Sequence, residues 1–229
     1  MPRPTELARL LADAAQGRFP PPDGTVAFWP QPSPRDAGVI AFTAHTVVFA
    51  DAAVPAGAPA GGYRGDLGDL LPPGDLSAPL GPPFLSALAA RTGRRVGTTD
   101  VLTVASALPG PPPRVALRAA DARSHPFAAD AAAHRDEVRV WAAPGGVLVL
   151  GRGVAGRWES AVEVEPGGRG RGLGRALALA ARHLVPAGGP VWAQIAPGNA
   201  ASLRAHLAAG FAPVGAEALL LPGERPAAG

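Results

Sequence analysis

The sequence has no cysteine and no lysine, a single tyrosine, a single methionine and a single asparagine. Absence of cysteine excludes disulfides, thiolate catalysis and cysteine-ligated metals, and no metal centre is expected. Absence of lysine excludes the phosphate-binding P-loop, which needs Lys followed by Ser or Thr after its last Gly. It also explains the charge balance. The formal charge is only +3, yet the pI is about 10.8, because every one of the 21 basic residues is an arginine. Arginine and acidic residues are interspersed, without basic runs and interleaved aromatics, so nucleic-acid binding is not expected. No apolar run is long enough to span a bilayer and no secretory h-region follows the start. The expectation is a soluble cytoplasmic protein, not membrane-bound. At 229 residues and 47% hydrophobic content, the chain has material for one large domain or two small ones.

The most informative stretch runs from Val162 to Leu177. Val162-Glu163-Val164-Glu165 alternates apolar and charged residues, the period of a half-buried strand. Pro166 to Gly172 is a turn of Gly and Arg. From Leu173 the apolar positions Leu173, Ala176, Leu177, Ala180, Ala181 and Leu184 recur at helical spacing. A strand thus passes through a glycine-lined turn into a helix. The first N–H groups of a helix lack internal partners and carry the positive end of its dipole. Glycine lets an anion approach them, and Arg169, Arg171 and Arg175 add charge. This pattern favours a phosphate or pyrophosphate.

The turn reads Arg169-x-x-Gly172-x-Gly174 after Val-x-Val-x-Pro. It resembles the acetyl-CoA loop of the GNAT superfamily of N-acetyltransferases, whose pattern is Gln/Arg-x-x-Gly-x-Gly/Ala. A second tract lies one strand further on. Val191 to Ile195 reads as a strand, Pro197-Gly198 breaks it, and Asn199 opens a helix through Ala209 that Gly210 ends. From Asn199 through Ser202 and His206 to Gly210-Phe211, the tract looks like the second GNAT signature, Asn-x-x-Ser-x-x-x-Tyr-x-x-x-Gly-Phe. The resemblance covers about residues 114–221. It implies an α/β fold of the GNAT acyl-CoA N-acyltransferase type, a central mixed sheet flanked by helices.

The resemblance also implies acetyl-CoA as donor and a primary amine, on a small molecule or a peptide, as acceptor. By that likeness the donor contacts are the backbone of Val162 and Val164, the loop Arg169, Gly170, Arg171, Gly172, Leu173, Gly174 and Arg175, and Asn199 with Ser202. Asn199 is also a natural helix N-cap, and the two roles are compatible. The family splays the strand before the loop from the following strand to open a cleft.

This chain departs from the family at one catalytic position. Where the signature places a Tyr as general acid, it has His206. An imidazole can donate a proton near neutral pH; equally, His206 is a helix-surface residue beside Leu203 and Leu207. The general base stays open. Glu159 and Glu163 flank the cleft and share a strand face with Ala161 and Glu165, and carboxylates there also serve as a solvated face. Asp136, Glu137 and His134 are further candidates.

The remaining chain supports this organisation. Residues 1–17 carry a short amphipathic helix through Leu7, Leu10, Leu11 and Ala14. Val39 to Phe49 is β-rich and holds His45, read as a packed residue. The loop from Ala52 to Asp75 contains Tyr63. Pro82 to Arg91 reads as a helix and Thr98 to Ala107 as a strand. Four prolines between Pro109 and Pro113 mark a linker. Residues 1–110 therefore form an N-terminal α/β region, whose helix–strand order is what a degenerate second copy of the fold would leave, and 111–229 the GNAT-like domain. In the latter, Arg114 to Arg118 is the expected first strand. Asp121 to Arg135, Ala-rich with two histidines, reads as the helical region that covers the acceptor site; Val138–Trp141 and Val147–Leu150 form a hairpin; Arg157–Val164 continues the meander. Gly151-x-Gly153-x-x-Gly156 matches the dinucleotide fingerprint literally, but a strand and not a helix follows, so it reads as a hairpin loop. A non-catalytic acyl-CoA-binding module for regulation or assembly is the alternative function. Either a monomer or a homodimer fits.

Overall fold

A computed structural model describes residues 5–51, 65–112 and 115–223. Tyr63 and Arg114 lie outside the described residues. Along the chain run α1 (Glu6–Ala14), β1 (Thr25–Trp29), β2 (Ala37–Phe42), β3 (His45–Phe49), α2 (Gly65–Gly68), α3 (Pro82–Thr92) and β4 (Arg94–Ala105). They are followed by β5 (Arg118–Ala120), α4 (Pro126–Ala133), β6 (Asp136–Ala143), β7 (Gly146–Arg152), β8 (Trp158–Val164), α5 (Leu173–Leu184), β9 (Val191–Ile195), α6 (Ala200–Ala208) and β10 (Ala212–Pro222). The architecture is mixed α/β. The chain forms two compact units, Met1–Asp100 with Gly215–Gly229, and Val101–Val214.

In the first unit β1 pairs parallel with β3, β3 antiparallel with β2, and β2 antiparallel with β10. The β2–β3 hairpin turns at Ala44, whose φ of 51° is left-handed. Helix α1 starts where Thr5 Oγ1 accepts the Ala8 N–H at 3.1 Å, a side-chain N-cap. It buries Leu7, Leu11 and Ala14 at the spacing of one helix face. Helix α3 buries Phe84, Leu85 and Leu88 in a core with Phe28, Val39, Val48, Ala218 and Leu220. It stops at Gly93, which takes the left-handed conformation (φ 64°) suited to glycine. His45 Nδ1 donates to Asp23 Oδ1 at 3.0 Å, so this histidine holds a loop in place and is not simply packed in the core.

The second unit contains the segment on which the family resemblance rests. Its strand order is β4 (through Val101–Ala105), β9, β8, β7, β6, β5. All neighbours are antiparallel except β8 and β9. The expected first strand lies further along: the ladder with β6 uses Arg118 to Ala120. The stretch before it follows a proline run that has no N–H to give.

The pleat of β7 and β8 sends side chains to two faces. Leu148, Leu150, Trp158, Val162 and Val164 pack with Leu177, Ala178 and Ala181 of α5. Val147, Val149 and Ala161 pack with Ala128 and Ala131 of α4. Helices α5 and α4 therefore cover opposite faces. The alternation that reads as a half-buried strand in the sequence is this division. Among the described residues no helix is long and apolar enough to cross a membrane.

Candidate functional site

The turn between β8 and α5 is built to leave donors free. Pro166–Gly168 makes one 3₁₀ turn, with Gly168 N–H bonded to Glu165 O at 2.9 Å. The chain then passes through two left-handed glycines, Gly170 (φ 74°) and Gly172 (φ 83°). Gly172 is the N-cap of α5 and, lacking a side chain, caps nothing. The first intrahelical bond reaching back into the turn is Ala176 N–H to Gly172 O at 3.0 Å. Hence the N–H groups of residues 170–175 have no acceptor among the described residues. Left-handed positions in such a turn let these groups face one concavity at the positive helix end, where an anion is favoured. Arg171 and Arg175 are exposed beside it. Arg169 lies back along the strand, its Nε donating to Val164 O at 3.2 Å.

This concavity lies where two strands part. The parallel ladder of β8 and β9 covers only Trp158–Val191 and Glu159–Trp192. Beyond it β9 keeps its pairing with β4 through Ile195, and β8 keeps its pairing with β7 through Val164. Glu165 N–H bonds Gly145 O of the neighbouring turn at 2.9 Å. By alternation the backbone groups of Val162 and Val164 then face the open side, where the Arg169 guanidinium meets Val164 O. Two side chains pin the fork. Ser160 Oγ donates to Trp192 O at 3.2 Å, and Gln194 Nε2 donates to Glu159 Oε1 at 3.0 Å.

Glu159 and Glu163 share a strand face but not an environment. Glu159 is 3% exposed. Its carboxylate accepts from Arg157 Nε (2.8 Å), Arg135 Nε (3.1 Å), Gln194 Nε2 (3.0 Å) and Val154 N–H (3.2 Å). Burial alone would raise its pKa; the charges of Arg157 and Arg135 outweigh burial and hold it below the usual range. This cluster also accounts for the fingerprint-like glycines. A Cβ on Gly153 would collide with the Glu159 carboxylate, and one on Gly151 would come within 2.7 Å of Arg135 Cβ. The decoy glycines make room for a buried ion cluster, not for a dinucleotide. Glu163 is different: its side chain is 42% exposed, and His125 Nδ1 lies 3.8 Å from its Oε2. Of the other candidates, Glu137 pairs with Arg152 at 3.0 Å, and His134 is the exposed C-cap of α4.

Helix α6 begins as its sequence demands. Asn199 Oδ1 accepts the Ser202 N–H at 3.1 Å, an N-cap bond. Ala205 of α6 and Val164 of β8 approach Gly174 so closely that an added Cβ would lie 3.7 and 3.6 Å from them. Gly174 thus brings the start of α5 against both elements. His206, one residue on, is not a helix-surface residue: it is 4% exposed. Its ring meets Phe211 edge-on at 5.0 Å. Its Nδ1 lies 2.9 Å from Ser202 O, so Nδ1 carries the hydrogen and donates. Nε2 is then a bare lone pair, buried and without a partner among the described residues. Burial holds this imidazole below its usual pKa, only partly offset by the Ser202 bond.

Nothing comparable occurs at α3 of the first unit. Its first two positions are Pro82 and Pro83, which have no N–H to offer an anion. Among the described residues no group of three or more potential ligands gathers to hold a metal ion.

Taken as a class of architecture, the second unit is a mixed sheet with uncapped N–H groups at a helix start and a forked parallel strand pair beside it. Among solved structures the chain is similar to a GCN5-related N-acetyltransferase from Kribbella flavida, at 19% identity and a TM-score of 0.41. The match covers 63% of this chain and 66% of that one. No family model matches the sequence, and no curated protein does.

Proposed function

We propose that the second unit carries out acetyl-CoA-dependent N-acetyl transfer to a primary amine of a small molecule or peptide. One observation carries this reading: the run of free N–H groups at the start of α5 lies beside the edge of β8 that β9 leaves open. The concavity suits a pyrophosphate, and the N–H and C=O groups of Val162 and Val164 on the open side, of which the Val164 C=O accepts from Arg169, suit the amide-bearing arm joined to it. The donor site fits a molecule with a diphosphate at one end and a chain of amides leading from it, which is the chemistry of coenzyme A. Acetyl-CoA supplies an activated acetyl thioester when bound.

In this reading Gly170 to Arg175 bind the pyrophosphate through backbone N–H groups, with Arg169, Arg171 and Arg175 adding charge. Binding exchanges the Arg169 contact on Val164 O for one with the donor. Asn199 and Ser202 set the first turn of α6 against the loop. The open N–H groups of β8 are donors for the thioester oxygen. Glu163, half-exposed beside the fork, is the carboxylate on the acceptor side. Glu159 serves the scaffold, since all its acceptor capacity is engaged. His206 presents Nε2 to the leaving sulfur, and there it would take the second proton released by the reacting amine nitrogen and hand it to the thiolate. The reading also places the protein in the cytoplasm, as monomer or homodimer.

A second reading has one observation in its favour. A buried imidazole held neutral is a poor proton donor at pH 7 in the absence of ligand. An acyl-CoA-binding module that transfers nothing would be compatible with it. The two are separated by calorimetry with coenzyme A together with free-thiol release from acetyl-CoA in the presence of a panel of primary amines. Transfer is expected with at least one amine. Binding without thiol release establishes the module, and no binding removes both.

A further inference from the structure

We propose that His125 and Glu163 form the acceptor subsite of the second unit, with His125 a further catalytic residue: a primary ammonium is held between Nδ1 and the carboxylate and gives its proton to the imidazole. This deepens the acetyl-transfer reading and rests on it.

The two residues come from different elements. Glu163 lies on β8 between Val162 and Val164, and its side chain projects to the face covered by α4. His125 is the residue before α4, held extended at φ −145° by the proline that follows. It occupies the N-cap position, yet its side chain makes no capping bond. The ring is turned to the sheet instead. Its Nδ1 is buried and has no hydrogen-bond partner among the described residues. The Glu163 Oε2 atom, at 3.8 Å, is too far for a hydrogen bond.

A buried polar atom without a partner is costly. Here the missing partner has a definite character. With its hydrogen on Nε2, the imidazole offers a lone pair at Nδ1, and the carboxylate accepts too, so the group that satisfies both is a multiple donor with positive charge. A primary ammonium has three N–H bonds and is such a group. Two charged side chains flanking α4 are committed elsewhere. Asp121 is engaged by Arg123, and Arg135 by Glu159. Glu163 therefore contributes negative charge to the space beside the fork.

The two groups divide the task. The carboxylate orients and attracts the cation. An imidazole suits proton removal near neutral pH better than a carboxylate does, since base strength is best matched when the conjugate acid titrates near the working pH. The balance is complete: the ammonium gives one proton to His125. The freed lone pair forms the C–N bond to the thioester carbonyl as the C–S bond breaks. The amide nitrogen loses its second proton as the thiolate gains one. The sum is ammonium plus acetyl thioester to acetamide plus thiol plus one proton, which His125 passes to water.

The test uses the full chain. Imidazole ¹⁵N resonances are followed while n-propylamine is added, with n-propanol as the neutral control. His125 Nδ1 should shift with the amine and not with the alcohol, and the shift should vanish in Glu163→Gln. An Nδ1 resonance that the amine leaves unmoved overturns the subsite. For the proton transfer, His125→Ala should lower kcat with n-propylamine about 100-fold, with coenzyme A affinity unchanged. With trifluoroethylamine, which is largely neutral at pH 7 and has no proton to lose first, the loss should be several-fold smaller. Equal losses with both amines, or none, overturn the catalytic assignment. Should His125→Ala unfold, His125→Gln, which fills the same space, gives the same comparison. A protein whose His125 answers the amine while no acetyl is transferred would retain the subsite and defeat the acetyltransferase reading instead.

Discussion

Glu159 and Glu163 show how far one strand face can separate two identical side chains. Both project toward α4. Glu159 lies where β8 and β9 still pair, so Gln194 reaches it from one side and Arg157 and Arg135 from the others. Glu163 lies past the fork, where β9 has left. Position along the strand, not side-chain chemistry, makes one a structural anion and the other half-exposed. Replacing Glu159 by Gln should therefore be severe. It would leave two guanidinium groups poorly compensated in a buried site, a loss on the order of 3–5 kcal/mol. Thermal unfolding should show a drop of many degrees, and Glu163→Gln only a small one. A Glu159→Gln protein melting with wild type would mean that the cluster contributes little to stability.

At the scale of elements, the decisive feature is a helix that starts without a cap. Most helices satisfy their first N–H groups with a Ser, Thr, Asp or Asn side chain, as α1 and α6 do here with Thr5 and Asn199. Helix α5 starts on Gly172, which has no side chain to cap those groups. Gly172 also holds φ at 83°, which a β-branched residue adopts only under strain. Gly172→Val should reshape the concavity and cost coenzyme A at least tenfold in affinity by calorimetry, with the fold preserved by circular dichroism. Gly174→Ala makes the contrast. Its new methyl group would sit 3.6 Å from Val164 Cγ2 and 3.7 Å from Ala205 Cβ, ordinary contacts, so affinity should change little. Undiminished binding by a folded Gly172→Val protein would remove the turn from the donor site.

At the scale of the whole chain, the proline-rich stretch that looks like a linker is not where the sheet of the second unit begins. Val101 to Ala105 precede it and pair with Val191 to Ile195. Thr103 Oγ1 adds a buried bond to Ala193 O at 3.0 Å. A fragment covering 111–229 would lose that strand and expose the N–H and C=O edge of β9, an invitation to association. It should aggregate or melt early when compared with the full chain by light scattering and thermal unfolding. A monomeric fragment as stable as the full chain would show that β4 is dispensable to the second unit.

Local chemistry made much of this legible in the sequence. The period-2 run at Val162–Glu165, the helical spacing from Leu173, the Pro-Gly break before Asn199 and the glycine at 210 correspond to β8, α5, the start of α6 and its end, because each rests on backbone preferences that act within a few residues. Strands β1 and β10 were not read, being short or flanked by prolines without a strong alternation of their own. Periodicity places a residue on a face but does not name its partner, so it left Glu159, Glu163, Asp136, Glu137 and His134 as equal candidates. It also gave no signal for His125, a lone histidine before a proline. Only the tertiary structure decided these. Burial of Glu159 against Arg135 and Gln194 and the approach of His125 to Glu163 depend on contacts between residues distant in the chain, and the burial of His206 on how the turn after its helix folds Phe211 back against the ring; in each case packing sets the partners.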